Sequence, residues 1–514
     1  MNSGFSQQDL CRAAEIVAAR TGLHFPGERL RDMERGILSA ATELGFSAPG
    51  ACFDWLLTDS MSKNDIEILA YYLTIGETFF YRDCRCFTAL REKILPELIK
   101  RRSGEGKNIR IWSAGCCTGE EPYTIAIILR EIIPDISGWN ITIRATDLNR
   151  RFVKKAMEGI YTEWSFRDTP PAFRERYFHQ AGGRYYELLP EIREMVDFSI
   201  VNLAEDIYPS VINNTNAMDL IFCRNVLMYF TTVQAARAIR RLYNSISDNG
   251  FLIVSPSETS RVLFTQFEPV SINGMILYRK CPPLKFITDS DNDEVQSVIY
   301  KAVQTLDEHT QEELYSIDKE PAHEETDDSK NLKIEEIVTN EEKSLTGINP
   351  VKGDDAMSEA LFMFKAGNYR GTVKILLQHH IEKGTEEVPV MILLSRAYAN
   401  IGELAEARRW CEKAINLEKL NAEYYHLLSV ILIEQNEITL AENFLLKALY
   451  SDPDFALAHF TLGNLVKSMG REKEACRHFN NTVKILSKHD PENPVPGGDG
   501  MTAGSLAEIV RAFI

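Results

Sequence analysis

The sequence predicts an α/β domain built on a mainly parallel sheet, set between an N-terminal helical region and a C-terminal helical solenoid. Three observations carry that prediction. Apolar residues recur at three- and four-residue spacing in the first 90 positions, short apolar runs alternate with helical stretches from Ile109 to Arg279, and a 34-residue period runs through the last third. At 514 residues the chain is too long for one ordinary core, so several domains are expected.

The helical region rests on Leu10, Ala13, Ala14 and Val17, and again on Leu30, Met33, Ile37 and Leu38. Ser6 and Pro26 supply starts and Gly45 a stop. From Ile109 the texture changes. The runs 109-IRIW, 141-ITIRA, 219-DLIFC and 251-FLIVS read as buried strands, with helices between them on both faces of a sheet. From Asp289 to Lys343 there are 18 acidic and 5 basic residues, which describes a solvated, flexible linker, with a short helix expected around 294-EVQSVIYKAVQTL.

Beyond residue 355 the period can be checked column by column. Gly402, Asn436 and Gly470 fall 34 apart, as do Ala407, Ala441 and Ala475, and Leu394, Leu428 and Leu462. Ser395, Ser429 and Gly463 add a fourth column, and Ala414, Ala448 and Thr482 a fifth. Small residues belong where two helices of a unit approach closely, and Gly or Asn belongs in the turn between them. This pattern resembles tetratricopeptide (TPR) repeats at 388–421, 422–455 and 456–489, after a degenerate unit at 355–387 and before a tail at 491–514 with a capping helix.

Composition excludes several classes. No stretch approaches the about 18 uninterrupted apolar residues of a membrane helix, and the start MNSGFSQQDL carries no export signal, so a cytoplasmic location is expected. A formal charge of −17 opposes general nucleic-acid binding. The ten cysteines form no CxxC pair and the ten histidines no HExxH, so no metal site is expected and the thiols are read as reduced and mostly buried.

Chemistry concentrates in four segments. In 109-IRIWSAGCCTGEEPY a strand enters a glycine turn and then a helix, where α/β folds hold nucleotide-like ligands; Gly115 and Gly119 let the backbone come close. In 141-ITIRATDLN, Asp147 ends the next strand and can accept a ribose diol, or cap the following helix. In 219-DLIFCRNVLMYF the strand stops at Arg224 and Asn225, facing the ligand crevice or solvent. In 73-LTIGETFFYRD, Thr78, Tyr81 and Arg82 precede the sheet and can cover a ligand from outside.

Taken together in chain order, with LTIGETFFYRD first and VNLAED between ATDLN and DLIFCRNVLMYF, these segments resemble the CheR family of chemotaxis receptor methyltransferases over residues 5 to 280. The resemblance implies a class I (Rossmann-like) methyltransferase fold behind an N-terminal all-α domain, with a C-terminal α-solenoid of TPR type. The implied boundaries are 1–90 for the helical domain and 91–282 for the methyltransferase domain, with a β-subdomain near 179–200. A linker at 283–352, repeats at 353–490 and the tail follow. S-adenosylmethionine is implied as methyl donor, with S-adenosylhomocysteine as product, and glutamates of methyl-accepting chemoreceptors as substrates.

Residue by residue, the resemblance implies cofactor contacts from Gly76, Thr78, Arg82, Gly115, Glu120, Glu121, Asp147, Asn202, Leu203, Asn225 and Val226. Arg82 and Tyr229 are implied nearest the transferred methyl. Receptor docking is implied at Arg29, Arg31 and Arg35, where the alternative is a solvated face interleaved with Glu28, Asp32 and Glu34. The family commonly has Asn where this chain has Gly76. The segment 179-HQAGGRYYELLPEIREMVD is short for a subdomain that docks on a tethered receptor peptide. At the end of the 219-DLIFC strand RNVL stands where amino-group methyltransferases place an NPPY-like run, which speaks against methylation of a base. The rival readings are methylation of another substrate, and a repeat scaffold carrying an idle catalytic domain. The repeats are expected to recruit a protein or peptide, and a membrane is met only through the receptor.

Overall fold

The computed structural model describes residues 5–281 and 356–511, except positions 59, 105, 206, 212, 366, 384–386, 492 and 499–500. The expected acidic linker and its short helix lie outside the described residues.

Helix α1 (Gln7–Thr21) starts where expected, because the Ser6 side chain accepts from Asp9 N while the Asp9 carboxylate accepts from the Ser6 backbone, a reciprocal cap. A 3₁₀ turn, Gly27–Arg29, follows Pro26 and leads into α2 (Leu30–Ala40). With α3 (Pro49–Leu56) and α4 (Lys63–Leu73) these helices enclose their own apolar core, in which Leu10, Met33, Ile37 and Phe53 are fully buried.

The central sheet holds seven strands. These are β1 (Asn108–Ala114), β2 (Asn140–Asp147), β6 (Val196–Ile200), β7 (Met218–Phe222), β8 (Ile246–Ile253), β9 (Glu268–Ile272) and β10 (Met275–Arg279), in the order β6-β2-β1-β7-β8-β10-β9. The first five in that order run parallel, and β10 is antiparallel to both its neighbours. The strands β1 and β7 are buried almost end to end, as expected of a sheet covered on both faces. After β1 the chain builds outward through β2 and β6 and then returns to β7 on the other side, so strand order reverses between β1 and β7, where such sheets bind ligands. Helices α5 (Cys84–Ala89) and α6 (Leu95–Arg102), with the helical turn Leu90–Ile94 between them, bury Phe87, Leu90, Ile94 and Leu95 against the sheet, so this stretch belongs to its core rather than to the N-terminal bundle.

The small sheet is built from β3 (Ile160–Thr162), β4 (Phe178–Gln180) and β5 (Tyr185–Leu188) in the order β3-β5-β4. It begins some way before the expected 179–200, and 196–200 joins the large sheet instead. The reason is local: Tyr161 is buried against Phe80 and Phe178, an aromatic cluster that pulls residues 160–162 into the subdomain.

The repeats follow the predicted register. Helix pairs run Val388–Ile401 with Leu404–Leu417, Ala422–Glu434 with Ile438–Ser451, and Ala456–Ser468 with Glu472–Leu486, preceded by Ala356–Lys365 and Tyr369–Lys383. Gly402, Asn436 and Gly470 take φ of +92°, +61° and +75° in the three turns. A Cβ at Gly463 would lie 2.6 Å from the Phe479 ring, so that column is small because two helices touch there. The tail closes with a helix, Ala503–Arg511.

No helix among the described residues is long and apolar enough to cross a membrane. All ten cysteines are free, but only Cys52, Cys86, Cys116, Cys223 and Cys411 are buried, fewer than the sequence suggested. Among the described residues no cluster of three or more His, Cys, Asp or Glu could hold a metal.

Candidate functional site

A cavity of about 960 Å³, part of it open to solvent, lies at the strand tips where β1 and β7 part. Thr78, Arg82, Gly115, Glu121, Asp147, Asn202, Leu203, Asn225, Val226 and Tyr229 all line it. The sequence also led to two residues that do not. Glu120 is only 2% exposed, and its carboxylate accepts from Thr118 and Ser165, with burial raising its pKa; it ties the glycine turn to the loop at 165 instead of meeting a ligand. Gly76 is not part of the wall either: a Cβ there would sit 2.4 Å from the Phe152 ring, and that ring lines the cavity itself. The absence of a side chain at 76 is therefore the room that Phe152 needs.

The turn after β1 is shaped to leave space. Gly115 has φ +86°, and a Cβ on it would come 2.2 Å from Val226 Cγ2. Gly119 has φ +93°, but its neighbours are Ala156, Tyr161 and Tyr123, so it serves the packing of the following helix, α7 (Glu120–Ile132).

Asp147 stands at the end of β2, and its carboxylate accepts the backbone N–H of Cys117 and of Asn149, both at 2.8 Å. Helix α8 (Arg150–Glu158) is capped by Asn149, whose side chain accepts from Arg151 N and Phe152 N. The cap therefore does not use Asp147, and its carboxylate remains on the cavity wall. Burial pushes its pKa up to about 6, only partly offset by the backbone N–H groups. Burial also pushes the neighbouring Cys116 and Cys117 thiols well up, with the Asp147 charge adding, so both are neutral and poor nucleophiles at pH 7.

Arg82 is delivered by a strained loop: Tyr81 and Asp83 on either side have φ of +60° and +63°. The backbone is held there by Phe80 N donating to Ser165 O and by Arg224, whose guanidinium donates to Arg82 O at 2.9 Å. Arg224 also pairs with Glu121 at 3.2 Å and with Asp83 at 3.5 Å, and its side chain is 3% exposed. Glu121 in turn accepts from Ser113 at 2.7 Å. Arg224 thus joins the loop from outside the sheet to the tip of β1.

Asn202 follows β6; its amide donates to Arg20 O and its oxygen accepts from Ala204 N, which fixes the bend that presents Leu203. Asn225 has φ +57°, and the loop it begins is gripped by Glu258. The Glu258 carboxylate, 8% exposed at residue level, accepts from Asn225 N, Val226 N, Met228 N, Ser255 N and the Ser255 hydroxyl at 2.5 to 3.3 Å. Glu258 was not among the residues expected from the sequence: 255-SPSE carries the local capping-box pattern with Ser255, but the three loop N–H groups it also holds lie 30 to 33 residues away. Tyr229 ends the loop, with its carbonyl accepting from His24 N at 2.6 Å and the Arg29 guanidinium 5.6 Å from its ring centroid. Arg29 therefore sits in the turn ahead of α2 and against Tyr229. Arg31 pairs with Glu34, and Arg35 with Asp32; both arginine side chains are largely exposed.

This set can take a nucleoside with a charged tail. Asp147 offers an acceptor for a diol, Leu148, Phe152, Leu203 and Val226 offer apolar walls, and Arg82 with the Glu121–Arg224 pair offers charge of both signs.

Residues 76–275 match the family model described as "CheR methyltransferase, SAM binding domain", and residues 388–419 and 422–455 match that for the tetratricopeptide repeat. Chemotaxis protein methyltransferase 2 of Vibrio cholerae is 30% identical over 49% of this chain and 85% of its own length. Chemotaxis protein methyltransferase 1 of Pseudomonas aeruginosa is 32% identical over 41% of this chain and 77% of its own. The chemotaxis protein methyltransferase of Borreliella burgdorferi is 29% identical over 51% and 91%.

Proposed function

The chain belongs to the CheR family of chemotaxis protein methyltransferases, and from that premise we propose that it methylates glutamate side chains of methyl-accepting chemoreceptors. The methyl donor is S-adenosylmethionine, and the chain is a methyltransferase acting in chemotaxis. The observation that carries the finer reading is one cavity wall shared by Asp147, Asn225, Arg82 and Tyr229, reached from the helical N-terminal region.

The donor supplies an already activated methyl group. A glutamate with a usual pKa near ~4.3 is already an anion at pH 7, so the protein needs no strong base. Its task is positioning and the exclusion of water, and alignment of this kind is worth several kcal/mol. In this reading Asp147 holds the ribose diol, and Thr78, Glu121, Asn202, Leu203, Asn225 and Val226 complete the cofactor wall. Arg82 orients the incoming carboxylate and Tyr229 donates a hydrogen bond beside it. Arg31 and Arg35, exposed on α2, meet the acidic methylation region of the receptor, and Arg29 links that face to Tyr229. The repeats recruit a protein partner.

With labelled donor and a receptor cytoplasmic fragment, the expected product is a base-labile label on receptor glutamates. Arg82→Ala and Tyr229→Phe are each expected to lower transfer, Tyr229→Phe with little change in S-adenosylhomocysteine affinity. Arg31→Glu with Arg35→Glu should weaken receptor methylation and leave cofactor affinity alone. A base-stable label, or full transfer by both site variants with intact cofactor binding, contradicts the reading.

A further inference from the structure

In an isolated solenoid the turn edge between paired helices faces water. Here that edge is buried. Asn400 and Glu434, at the ends of the first helices of two successive repeats, are 4% and 7% exposed, and each keeps a side-chain oxygen without a hydrogen bond among the described residues. The group facing Glu434 comes from the methyltransferase domain: the Arg110 guanidinium, at the start of β1, lies 3.7 Å from its carboxylate, with both side chains at most 7% exposed. Burying a carboxylate is costly unless a cation meets it, and burial does raise the Glu434 pKa while Arg110 opposes the rise. The repeats therefore carry a charge whose partner is on the catalytic domain.

Around this pair the contact is specific. The Asn216 amide donates to Ala399 O at 3.0 Å, Tyr369 OH donates to Pro209 O at 3.3 Å, and Arg370 pairs with Asp248 at 2.6 Å. Val211 packs within the apolar core of the repeats. Most of these methyltransferase groups lie in 204–217, a segment whose described residues form no helix or strand and which connects Leu203, on the cofactor wall, to β7. Arg110 also holds this segment through Asn214 and Asn216, and the Tyr208 hydroxyl donates to Leu203 O at 2.8 Å. A continuous set of bonds thus runs from Glu434 and Tyr369 to the wall that carries Asn202 and Leu203.

We propose that the repeats are docked on the strand-start edge of their own methyltransferase domain, and that this docking braces 204–217 and so sets cofactor affinity. The surface the repeats offer at their turn edge is occupied by this chain, and an external partner must use another face. The proposal relies on the site reading only for the position of the cofactor.

The test uses the full chain with a protease site inserted within 290–345. After cleavage the two fragments are expected to co-elute in gel filtration and to bind S-adenosylhomocysteine as the uncut chain does. In Glu434→Arg the cut fragments should separate, with cofactor affinity falling roughly tenfold, a usual scale for coupling between linked sites; adding Arg110→Glu should restore both. Arg370→Glu, whose side chain is more than half exposed and so tolerates reversal, is the second variant, with Asp248→Arg as its rescue. Separation of the wild-type fragments overturns docking. Separation in either variant with unchanged cofactor affinity overturns the brace. Binding by the uncut wild-type chain stays as the separate check on the site itself.

Discussion

Asp147→Ala is expected to bind S-adenosylhomocysteine roughly a hundredfold more weakly than the wild type while remaining folded, as calorimetric titration will read. One to two charge-assisted hydrogen bonds at about 1.5–3 kcal/mol each set that scale. Of the two backbone donors left behind, Cys117 N borders the cavity and can turn to water, whereas Asn149 is fully buried. The same carboxylate gives a pH signature. Its pKa in the free protein is raised to about 6 by burial, and the diol needs the ionised form, so affinity should be level above pH 7 and decline as pH falls through 6. Stability of the cofactor-free protein has the opposite sign. The folded state holds this proton more tightly than the unfolded chain, so between about pH 4 and 6 Asp147 costs stability as pH rises. A Kd within twofold of wild type in Asp147→Ala, flat from pH 5 to 8, contradicts the ribose assignment.

Glu258→Ala is expected to have the largest effect on stability of any single change at the site. Five donors converge on this carboxylate, and removing it strands several of them in a buried place at about 1–3 kcal/mol for each group that finds no water. A loss of ~3–5 kcal/mol, read as a Tm lower by roughly 10 °C, is the expected order. Because the loop it grips carries Asn225, Val226 and Tyr229, cofactor affinity should fall as well. Glu258→Gln keeps an acceptor on one side and should lie between the two. An unchanged Tm and affinity in Glu258→Ala would show that the loop holds itself.

What could be read from the sequence follows what is local. The repeats were legible because each column repeats one packing need: Ala407, Ala441 and Ala475 are at most 1% exposed. The strands β1 and β7 were legible as short, mainly apolar runs, and the residues at their tips point where a parallel sheet must point them. Glu120 was misplaced because it is adjacent to Glu121 on the first turn of α7, and one residue of helix rotation sends the two carboxylates to different sides. The small sheet was placed late because β3 is only three residues long and is held by aromatic contacts distant in sequence. Glu258, Arg224 as a bridge to Arg82, and the Arg110–Glu434 pair escaped for a shared reason: each joins segments more than 30 residues apart or a side chain to backbone, and neither leaves a periodic trace. Of the two readings of Asp147, the cap of α8 falls to Asn149 instead.

The most direct measurement is a crystal structure of the chain with S-adenosylhomocysteine. The account predicts the ribose hydroxyls within hydrogen-bond distance of the Asp147 carboxylate, the nucleoside between Leu203 and Val226, and the sulfur on the side of Arg82 and Tyr229. A ligand bound elsewhere, or one lying in the cavity with its ribose turned away from Asp147, would contradict it.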